Sequence, residues 1–471
     1  MGNVVMYLVA LLAVVLVIMM LIKKMDIKIT LLFMGVILMY VGMLMGNDIA
    51  LSGFETTGSK LLDPFAAIAT QFKSTLSSSG FIVLILGGYS CYMSTIKANE
   101  VTVQTFSKPI RKIKSVYFLV PAVFLLGNLL SLVVPSASNL AIILLATLYP
   151  ILIKSGMSPL TAAAVIATTA TVMPTPLGSD NVAIAAELAN TTEFAGLTVS
   201  DYVFRYHAKV SIPVLLLMAV VHYFWQKYED KKQGVVAKAE VEVENVEEIE
   251  GSGLFKVVYS ILPLFPLIVL IIMFILQSTI GTTVTVSVES ACILSFVFAI
   301  ICEIIRNKDI RKALKDTEGF FKGMGNAVPT VVLMVSATIF VVGLQSIGLI
   351  NALKSAMLGI NGSGMGFVLP LILVLLSALI VILSGSGTSL FFALVPLMVP
   401  LAEAAGISVL AISIPMGLAG NLLRAVSPVS AVVMIVAGTT KNDPMQIVRR
   451  TAIPMIAGVI FMFILSMIIF L

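Results

Sequence analysis

Two polar interruptions in otherwise apolar segments contain the residues best suited to bind a small anion. The first interruption, Pro174 to Asn181, contains Asp180, and the second, Asn421 to Ser430, contains Arg424. An arginine at the middle of a bilayer costs about 2.5–3.5 kcal/mol on insertion scales, so an arginine without a partner is not expected there. Its planar guanidinium binds a carboxylate through two parallel hydrogen bonds. Arg424 is therefore predicted to contact an anionic substrate, and a structural ion pair is the alternative.

Asp180 is the acidic counterpart of Arg424 in the matching interruption. Its carboxylate can pair with the arginine, take up a proton or ligate a cation. A plainer alternative is that it only caps the helix that begins beside it. We predict that Asp180 contributes to the substrate site and, together with Asn139, to a site for a coupling ion.

A segment with small hydroxyl residues occurs twice, 250 positions apart. The first copy is S-A-S-N-L, Ser136 to Leu140, and the second is S-G-T-S-L, Ser386 to Leu390. Hydroxyls in membrane helices commonly bond to their own backbone, but their paired recurrence favours ligand binding. Two pairs of broken hydrophobic segments at matching places in two halves are typical of a transporter site near the bilayer midplane.

The broken segments also supply backbone donors. A helix that begins within the membrane presents free N–H groups and about half a positive charge at its N-terminus. Such starts are predicted near Leu140, Gly178, Leu390 and Val429, and together they favour an anion. The candidate substrate-binding residues are Ser136, Ser138, Asn139, Thr175, Ser179, Asp180, Ser386, Gly387, Thr388, Ser389, Asn421, Arg424 and Ser427.

The composition is typical of a polytopic all-α membrane protein. Hydrophobic residues make up 59% and charged residues 11% of the 471 residues, whereas a soluble domain carries roughly 25% charged residues. The basic residues behind the net charge of +5 lie in short loops, which predicts no nucleic-acid partner. Neither the three cysteines nor His207 and His222 have metal-ligand spacing. We therefore predict no metal and no cofactor beyond a coupling ion, H⁺ or Na⁺, and no enzyme activity.

Apolar runs of about 20 residues recur along the chain, as transmembrane helices require. About ten such helices are predicted, two of them broken. Most of the 29 lysines and arginines fall in one set of alternate loops, which predicts that these loops are cytoplasmic and that both termini are outside. The predicted spans are 3–22, 29–46, 79–96, 159–190 (broken), 209–226, 257–277, 284–304, 327–347, 408–439 (broken) and 451–470.

Two further apolar stretches, 115–154 and 366–404, are interrupted in the middle. The distribution of basic residues places both ends of each stretch on one side, so each is predicted to be a re-entrant helical hairpin. The first hairpin would open to the cytoplasm and the second outward, which makes residues 1–226 and 257–471 an inverted repeat. Residues 227–256 are polar with mixed charge and are predicted to be a flexible cytoplasmic linker.

Over nearly its whole length the chain resembles the DcuC-type C4-dicarboxylate carriers of anaerobic bacterial metabolism, which belong to a wider ion-transporter superfamily. The resemblance rests on the spacing of the repeat and on five short motifs. These motifs are L-A-T-L-Y-P (Leu145 to Pro150), G-S-D-N-V (Gly178 to Val182), H-Y-F-W-Q-K-Y (His222 to Tyr228), S-G-S-G (Ser384 to Gly387) and S-P-V-S (Ser427 to Ser430).

The resemblance implies an elevator-type fold, in which a transport domain moves across a fixed scaffold. It also implies a homodimer in the bacterial cytoplasmic (inner) membrane, and secondary active transport of succinate, fumarate and malate. The first tip matches the superfamily's Ser-Asn-Thr signature only in part, because Leu140 stands in place of the threonine, so symport with H⁺, symport with Na⁺ and exchange are all open. The implied transport domain is approximately 79–190 and 327–439, and the implied scaffold approximately 3–46, 209–226, 257–304 and 451–470.

A carrier of another small organic anion, such as a monocarboxylate or an amino acid, is the alternative function. A single intramembrane arginine serves one carboxylate well, but a second carboxylate must rely on helix ends and hydroxyls. A continuous channel is disfavoured, because hairpins that enter from both faces suit alternating access.

Overall fold

The computed structural model describes residues 2–23, 25–113, 115–134, 136–171, 174–234, 252–349, 352, 366–385 and 387–471. Within these residues all regular secondary structure is helical, which confirms the predicted class. The helices of the first half are α1 (Gly2–Ile22), α2 (Ile27–Leu44), α3 (Asp63–Leu76), α4 (Ser79–Thr95), α5 (Ala98–Ser107), α6 (Val116–Ser131), α7 (Ala137–Thr147), α8 (Tyr149–Lys154), α9 (Pro159–Ala167), α10 (Ser179–Ala189), α11 (Val199–Asp201) and α12 (Ala208–Lys232).

The second half likewise contains long helices, a hairpin stretch and a broken helix. Its helices are α13 (Gly253–Ile261), α14 (Phe265–Ile280), α15 (Val288–Asn307), α16 (Ile310–Asp316), α17 (Glu318–Ser346), α18 (Val368–Ser384), α19 (Gly387–Leu394), α20 (Met398–Ala405), α21 (Val409–Leu423), α22 (Ala431–Thr440) and α23 (Pro444–Phe470). A π-helical turn, Tyr202–His207, leads from α11 into α12.

In the described part of the chain, seven helical segments are long and apolar enough to cross a membrane. An eighth is obtained if α3 and α4, which meet at 54°, form one bent span. A shorter apolar helix, Met6–Met20, lies within α1. These lengths and compositions agree with a polytopic membrane protein, while the count of ten spans stays a prediction.

Each segment predicted to be broken is interrupted in the structure. The first hairpin stretch divides between α6 and α7, and the second divides between α18 and α19. In the broken helices, α9 ends at Ala167 before α10 begins at Ser179, and α21 passes through the 3₁₀ turn Arg424–Val426 before α22. Backbone groups freed by such breaks must find partners in the protein or in a watery cavity.

The predicted linker is shorter at both ends than the sequence indicated. Helix α12 continues to Lys232 and α13 begins at Gly253, so 227–232 and 253–256 are helical. The last turns of α12 are polar, but they are held by contacts with α23, where Gln226 donates to the backbone oxygen of Arg450 at 2.9 Å. The two ends of the predicted linker are therefore helical, and its middle, residues 235–251, lies outside the described residues.

Helix α17 packs between α2 and α4 with almost no space for side chains. A Cβ atom on Gly323 of α17 would lie 2.4 Å from the carbonyl oxygen of Gly87 on α4. On the other side, a Cβ atom on Gly35 of α2 would lie 2.6 Å from the carbonyl oxygen of Ile339. Small residues allow this close backbone approach between membrane helices. Helices α2, α4 and α17 thus form one tightly packed group, the α17 group.

Helices α12 and α23 belong to a different group, with the first hairpin and the broken helices. Arg450 on α23 is fully buried, and its Nη1 lies 2.7 Å from Oδ1 of Asp230 on α12. The hydroxyls of Ser158 and Thr161, at the start of α9, donate to the same oxygen at 3.1 and 3.0 Å. Three helices therefore meet at one buried ion pair.

The packing bears on the predicted transport domain and scaffold, although the division itself stays a prediction. The sequence assigned 209–226 and 451–470 to the scaffold, yet the corresponding α12 and α23 pack against the first hairpin and the broken helices. It assigned 79–96 and 327–347 to the transport domain, yet the corresponding α4 and α17 pack against each other and α17 packs against α2. The apolar pattern alone does not decide which of these helices move together, because lipid-facing and protein-facing surfaces of a membrane helix are both apolar.

Candidate functional site

The two helix breaks meet, and two hydrogen bonds join them. Nδ2 of Asn421 donates to Oδ2 of Asp180 at 2.8 Å. Nη2 of Arg424 donates to the carbonyl oxygen of Ala170 at 2.7 Å. Each bond links the second half of the chain to the first, so the structure brings together the candidate residues of both interruptions.

Asp180 lies in the first turn of α10, where the partial positive charge of the helix N-terminus favours a carboxylate. Its Oδ1 accepts from the backbone N–H of Asn181 at 3.0 Å, while its Oδ2 accepts from Asn421. Gly178 precedes it, and a Cβ atom there would lie 2.6 Å from Oδ1 of Asp180. Gly178, not Asp180, occupies the N-cap position of α10, and the Asp180 carboxylate instead bonds to the backbone of the next residue and reaches across to the second break.

Thr175 holds the first break together. Its hydroxyl accepts from the backbone N–H of Leu177 at 3.1 Å, and its carbonyl oxygen accepts from Nδ2 of Asn181 at 2.9 Å. The side chain of Thr175 is fully buried. These bonds supply partners for a stretch of non-helical backbone, so Thr175 shapes the loop from within.

Arg424 is half-buried and opens the 3₁₀ turn that interrupts the second broken helix. Arg424 donates to the carbonyl oxygen of Ala170, which lies near the start of the first break. Its charge is close enough to Asp180 for the two groups to interact electrostatically. Within the described residues it forms no ion pair, and its other N–H groups have no hydrogen-bond acceptor. The guanidinium therefore retains donors that an anionic ligand can occupy.

The first hairpin tip faces a cavity of about 340 Å³. Ser136 caps α7, where its hydroxyl accepts from the backbone N–H of Asn139 at 3.3 Å. Both side chains are exposed and line the cavity together with Ser179, whereas Ser138 is half-buried. The opposite wall comes from the α17 group and includes Ser90, Cys91, Ser94, Asn326 and Thr330. The cavity thus lies between the hairpin tip and the α17 group.

The second hairpin tip lies directly against the second break. Gly385 has φ +74°, and a Cβ atom there would lie 2.7 Å from the carbonyl oxygen of Val429. A Cβ atom on Gly387 would lie 2.4 Å from the carbonyl oxygen of Gly420. The hydroxyl of Ser427 donates to the carbonyl oxygen of Ile382 at 2.9 Å. Gly387 and Ser427 therefore fasten the tip to the break.

Three predicted residues of the second tip stay predictions. Ser386 lies outside the described residues, as do the side chains of Thr388 and Ser389. Most of the remaining candidates fall into two sets: the residues that line the first-tip cavity and the residues at the crossing of the breaks. Ser138 belongs to neither, because it is half-buried and does not line that cavity. Ser179 and Asp180 are adjacent in the chain and connect the two sets.

Sequence reasoning missed Asn128 on α6. Its Nδ2 donates to the carbonyl oxygen of Thr168 at 3.3 Å, and its Oδ1 accepts from the backbone N–H of Thr171 at 3.1 Å. This buried amide therefore bonds to backbone groups that the end of α9 leaves free. An asparagine inside the apolar run of the first hairpin was the available signal, since buried polar groups require partners.

The structure holds no obvious metal centre in the residues it describes. No group of three or more histidine, cysteine, aspartate or glutamate side chains there is placed to bind a metal ion. His222 instead contacts Gln226: Nδ1 of His222 lies 3.4 Å from Nε2 of Gln226. Three free cysteines, Cys91, Cys292 and Cys302, lie on α4 and α15.

Comparison with known proteins identifies the family to which this arrangement belongs. The sequence profile of the DcuC family, described as C4-dicarboxylate anaerobic carriers, matches residues 6–471. The chain belongs to the DcuC family. The anaerobic C4-dicarboxylate transporter DcuC of Escherichia coli strain K12 is 32% identical over 427 residues, which covers 90% of this chain and 88% of the relative. The probable DcuC of Vibrio cholerae is 33% identical over 436 residues, covering 92% and 91%.

Solved structures of transporters share the fold of this DcuC-family chain. The YdaH transporter of Alcanivorax borkumensis matches with a TM-score of 0.68 and 14% identity, over 94% of this chain and 97% of that chain. The MtrF protein of Neisseria gonorrhoeae matches with a TM-score of 0.61 and 14% identity, over 94% and 95%. The family and the fold together confirm a multi-pass membrane transporter.

Proposed function

We propose that the chain is a secondary active carrier of C4-dicarboxylates such as succinate, fumarate and malate. The observation that carries this proposal is the guanidinium of Arg424, which has donors to spare beside the crossing of the two breaks. Membership in the DcuC family supports the dicarboxylate as substrate. One carboxylate of the substrate binds Arg424, because a planar guanidinium fits it bidentately.

The second carboxylate binds at the first hairpin tip in this proposal. Ser136, Ser138, Asn139 and Ser179 supply short polar side chains there, and the N-termini of α7 and α10 supply partial positive charge. The cavity of about 340 Å³ falls at the small end of the range for ligand pockets. Asp180 keeps Asn421 oriented and sets the position of Arg424 by its charge.

We propose an elevator movement with domains redrawn from the predicted ones. The moving part comprises both hairpins, both broken helices, α12 and α23, since the buried Arg450–Asp230 pair ties these helices to α9. The fixed part comprises α1, the α17 group and α13 to α15. The protein is further proposed to be a homodimer in the bacterial cytoplasmic membrane, with both termini outside. In that orientation the first-tip cavity opens to the cytoplasm.

Transport by purified protein in proteoliposomes tests the substrate. We expect labelled succinate to exchange rapidly against internal succinate, fumarate or malate. Monocarboxylates and amino acids with neutral side chains should compete weakly, because their single carboxylate leaves either Arg424 or the hairpin tip unoccupied. Monocarboxylates that compete as well as succinate would instead favour the carrier of another small organic anion, and inert liposomes would contradict both.

A cross-link across the first-tip cavity tests the movement. Cys91 on α4 and Val134, in the turn between α6 and α7, line the same cavity, Cys91 from the α17 group and Val134 from the first hairpin. In a Val134→Cys protein whose Cys292 and Cys302 are serine, a bifunctional thiosulfonate is expected to stop succinate exchange, and a reductant should restore it. The matched control adds Cys91→Ser, which should make exchange insensitive to the reagent. Full exchange in protein verified as cross-linked would rule out a sliding hairpin.

A further inference from the structure

Glu187 is an acidic side chain of the broken helices to which neither the fold nor the substrate site gives a role. It lies on α10, is half-buried, and lines both a small cavity of about 80 Å³ and a larger one of about 550 Å³. In the part of the chain that the structure describes, its carboxylate has no hydrogen bond and no ion pair. By contrast, both carboxylate oxygens of Asp180 accept hydrogen bonds.

The position of Glu187 on α10 couples it mechanically to the substrate site. Glu187 follows Asp180 by seven residues, which is two helical turns, so both side chains project from one face about 10 Å apart along the axis. Helix α10 also packs against α21 and α19, the elements of the second break and second tip. Any movement of the substrate site therefore carries Glu187 with it.

The cavities around Glu187 combine apolar walls with small polar groups. Met334, Phe392 and Val395 contribute apolar surface to the smaller cavity. Its polar lining consists of Gln71, Ser74, Thr75, Ser78, Ser79, Asn190 and Thr338. An ionised carboxylate without a paired cation is costly in such surroundings, whereas a neutral carboxyl group can hydrogen-bond to hydroxyls and amides.

Other charged groups near Glu187 do not offer it a counter-ion. Glu193 and Glu403 line the larger cavity, and no basic side chain among the described residues lines either cavity. Arg205, on the π-helical turn beside α10, is paired with Asp201 at 2.8 Å. The remaining titratable groups on elements packed against α10 do not line these cavities; they are Tyr89, Cys91 and Tyr92 on α4, and Tyr202, Tyr206 and His207 on the turn.

We propose that Glu187 binds the proton that accompanies the dicarboxylate, an inference that rests on the proposed transport function. The carboxylate takes up one proton from water in the larger cavity and becomes a neutral carboxyl group. In this form it slides past Met334 and Thr338 of α17 together with the substrate. Facing the other side, it releases the proton and becomes a carboxylate again. The ionised carboxylate of Glu187 does not make this movement, because it would lose its hydrating water without gaining a cation as partner.

Proteoliposomes with the membrane potential clamped test this assignment. With acid outside, one proton per substrate gives about a tenfold rise in accumulated succinate per unit of pH gradient. Glu187→Gln is expected to abolish this accumulation while keeping succinate exchange at equal pH. Glu193→Gln is the matched control, since Glu193 lines the same larger cavity but is exposed, and it should accumulate succinate like the wild type.

Several outcomes would overturn the assignment without touching the proposed function. Glu187→Gln protein that still accumulates succinate about tenfold would do so, as would wild-type accumulation driven by a Na⁺ gradient and not by pH. If Glu187→Gln does not fold, Glu187→Asp should keep accumulation with a shifted pH profile, and an unchanged profile would count against Glu187. Wild-type protein that does not exchange succinate at all would sink the proposed function itself.

Discussion

Replacing Arg424 with alanine is expected to weaken succinate binding roughly 30-fold or more. Truncating one partner of a buried, hydrogen-bonded charge pair costs about 2–5 kcal/mol, and each 1.4 kcal/mol is a factor of ten. The loss of affinity arises because the alanine removes the partner of the substrate carboxylate. The variant also leaves the carbonyl oxygen of Ala170 without its donor, which lowers the stability of the first break. Succinate affinity measured by exchange kinetics or calorimetry gives the size of the effect.

Two further variants separate binding from structure. Arg424→Lys keeps a charge and a donor for Ala170 but lacks the planar fork, so an intermediate affinity is expected. Arg205→Ala removes an arginine whose side chain is 56% exposed and paired with Asp201, and it should bind succinate normally. Unchanged succinate affinity in folded Arg424→Ala protein would remove Arg424 from the site.

Replacing Asp230 with alanine is expected to destabilise the protein by about 3–5 kcal/mol, because it leaves Arg450 buried without its counter-ion. Arg450 has no exposed surface, and its other contacts are to neutral groups such as the side-chain oxygens of Gln226 and Gln233, at 3.2 and 2.9 Å. Ser158 and Thr161 would also lose the oxygen to which they donate. Thermal unfolding in detergent, followed by fluorescence, measures the change.

Removing the charge pair as a whole should be far less harmful. A double variant with Asp230→Leu and Arg450→Met replaces the buried ions with apolar groups, and such exchanges are commonly neutral or stabilising. The pair between Asp201 and Arg205 provides the control, since the Arg205 side chain is 56% exposed and Arg205→Ala there should cost less than about 1 kcal/mol. If Asp230→Ala lowers the stability of the protein no more than the control variant does, the ion pair does not hold α9, α12 and α23 together.

The sequence located the broken elements well for a physical reason. Polar residues are so costly in a membrane that the interruptions around Asp180 and Arg424 stand out from their apolar surroundings. The family followed from motifs spread over the whole chain, and the match to residues 6–471 confirms it. The hydrogen-bond partner of Arg424 could not be predicted from the sequence, because it is a backbone carbonyl oxygen, and every residue has one.

Other features depended on contacts between distant parts of the chain. Arg450 looked like one more basic residue at the cytoplasmic end of a span, and only its approach to Asp230 reveals a buried ion pair. The grouping of α12 and α23 with the hairpin was hidden for a similar reason, since an apolar surface does not indicate whether lipid or protein covers it. Glu187 was overlooked because its significance lies in the cavities beside it.

The two bonds that join the breaks have a consequence for biogenesis. Asp180 and Asn421 are 241 positions apart, and Ala170 and Arg424 are 254 apart. At about 5–20 residues per second, a ribosome needs roughly 12–50 s to make that length. Throughout this interval the nascent chain carries an unclosed first break in the membrane. The first break therefore cannot form its bonds to the second until most of the second half has been synthesised and inserted.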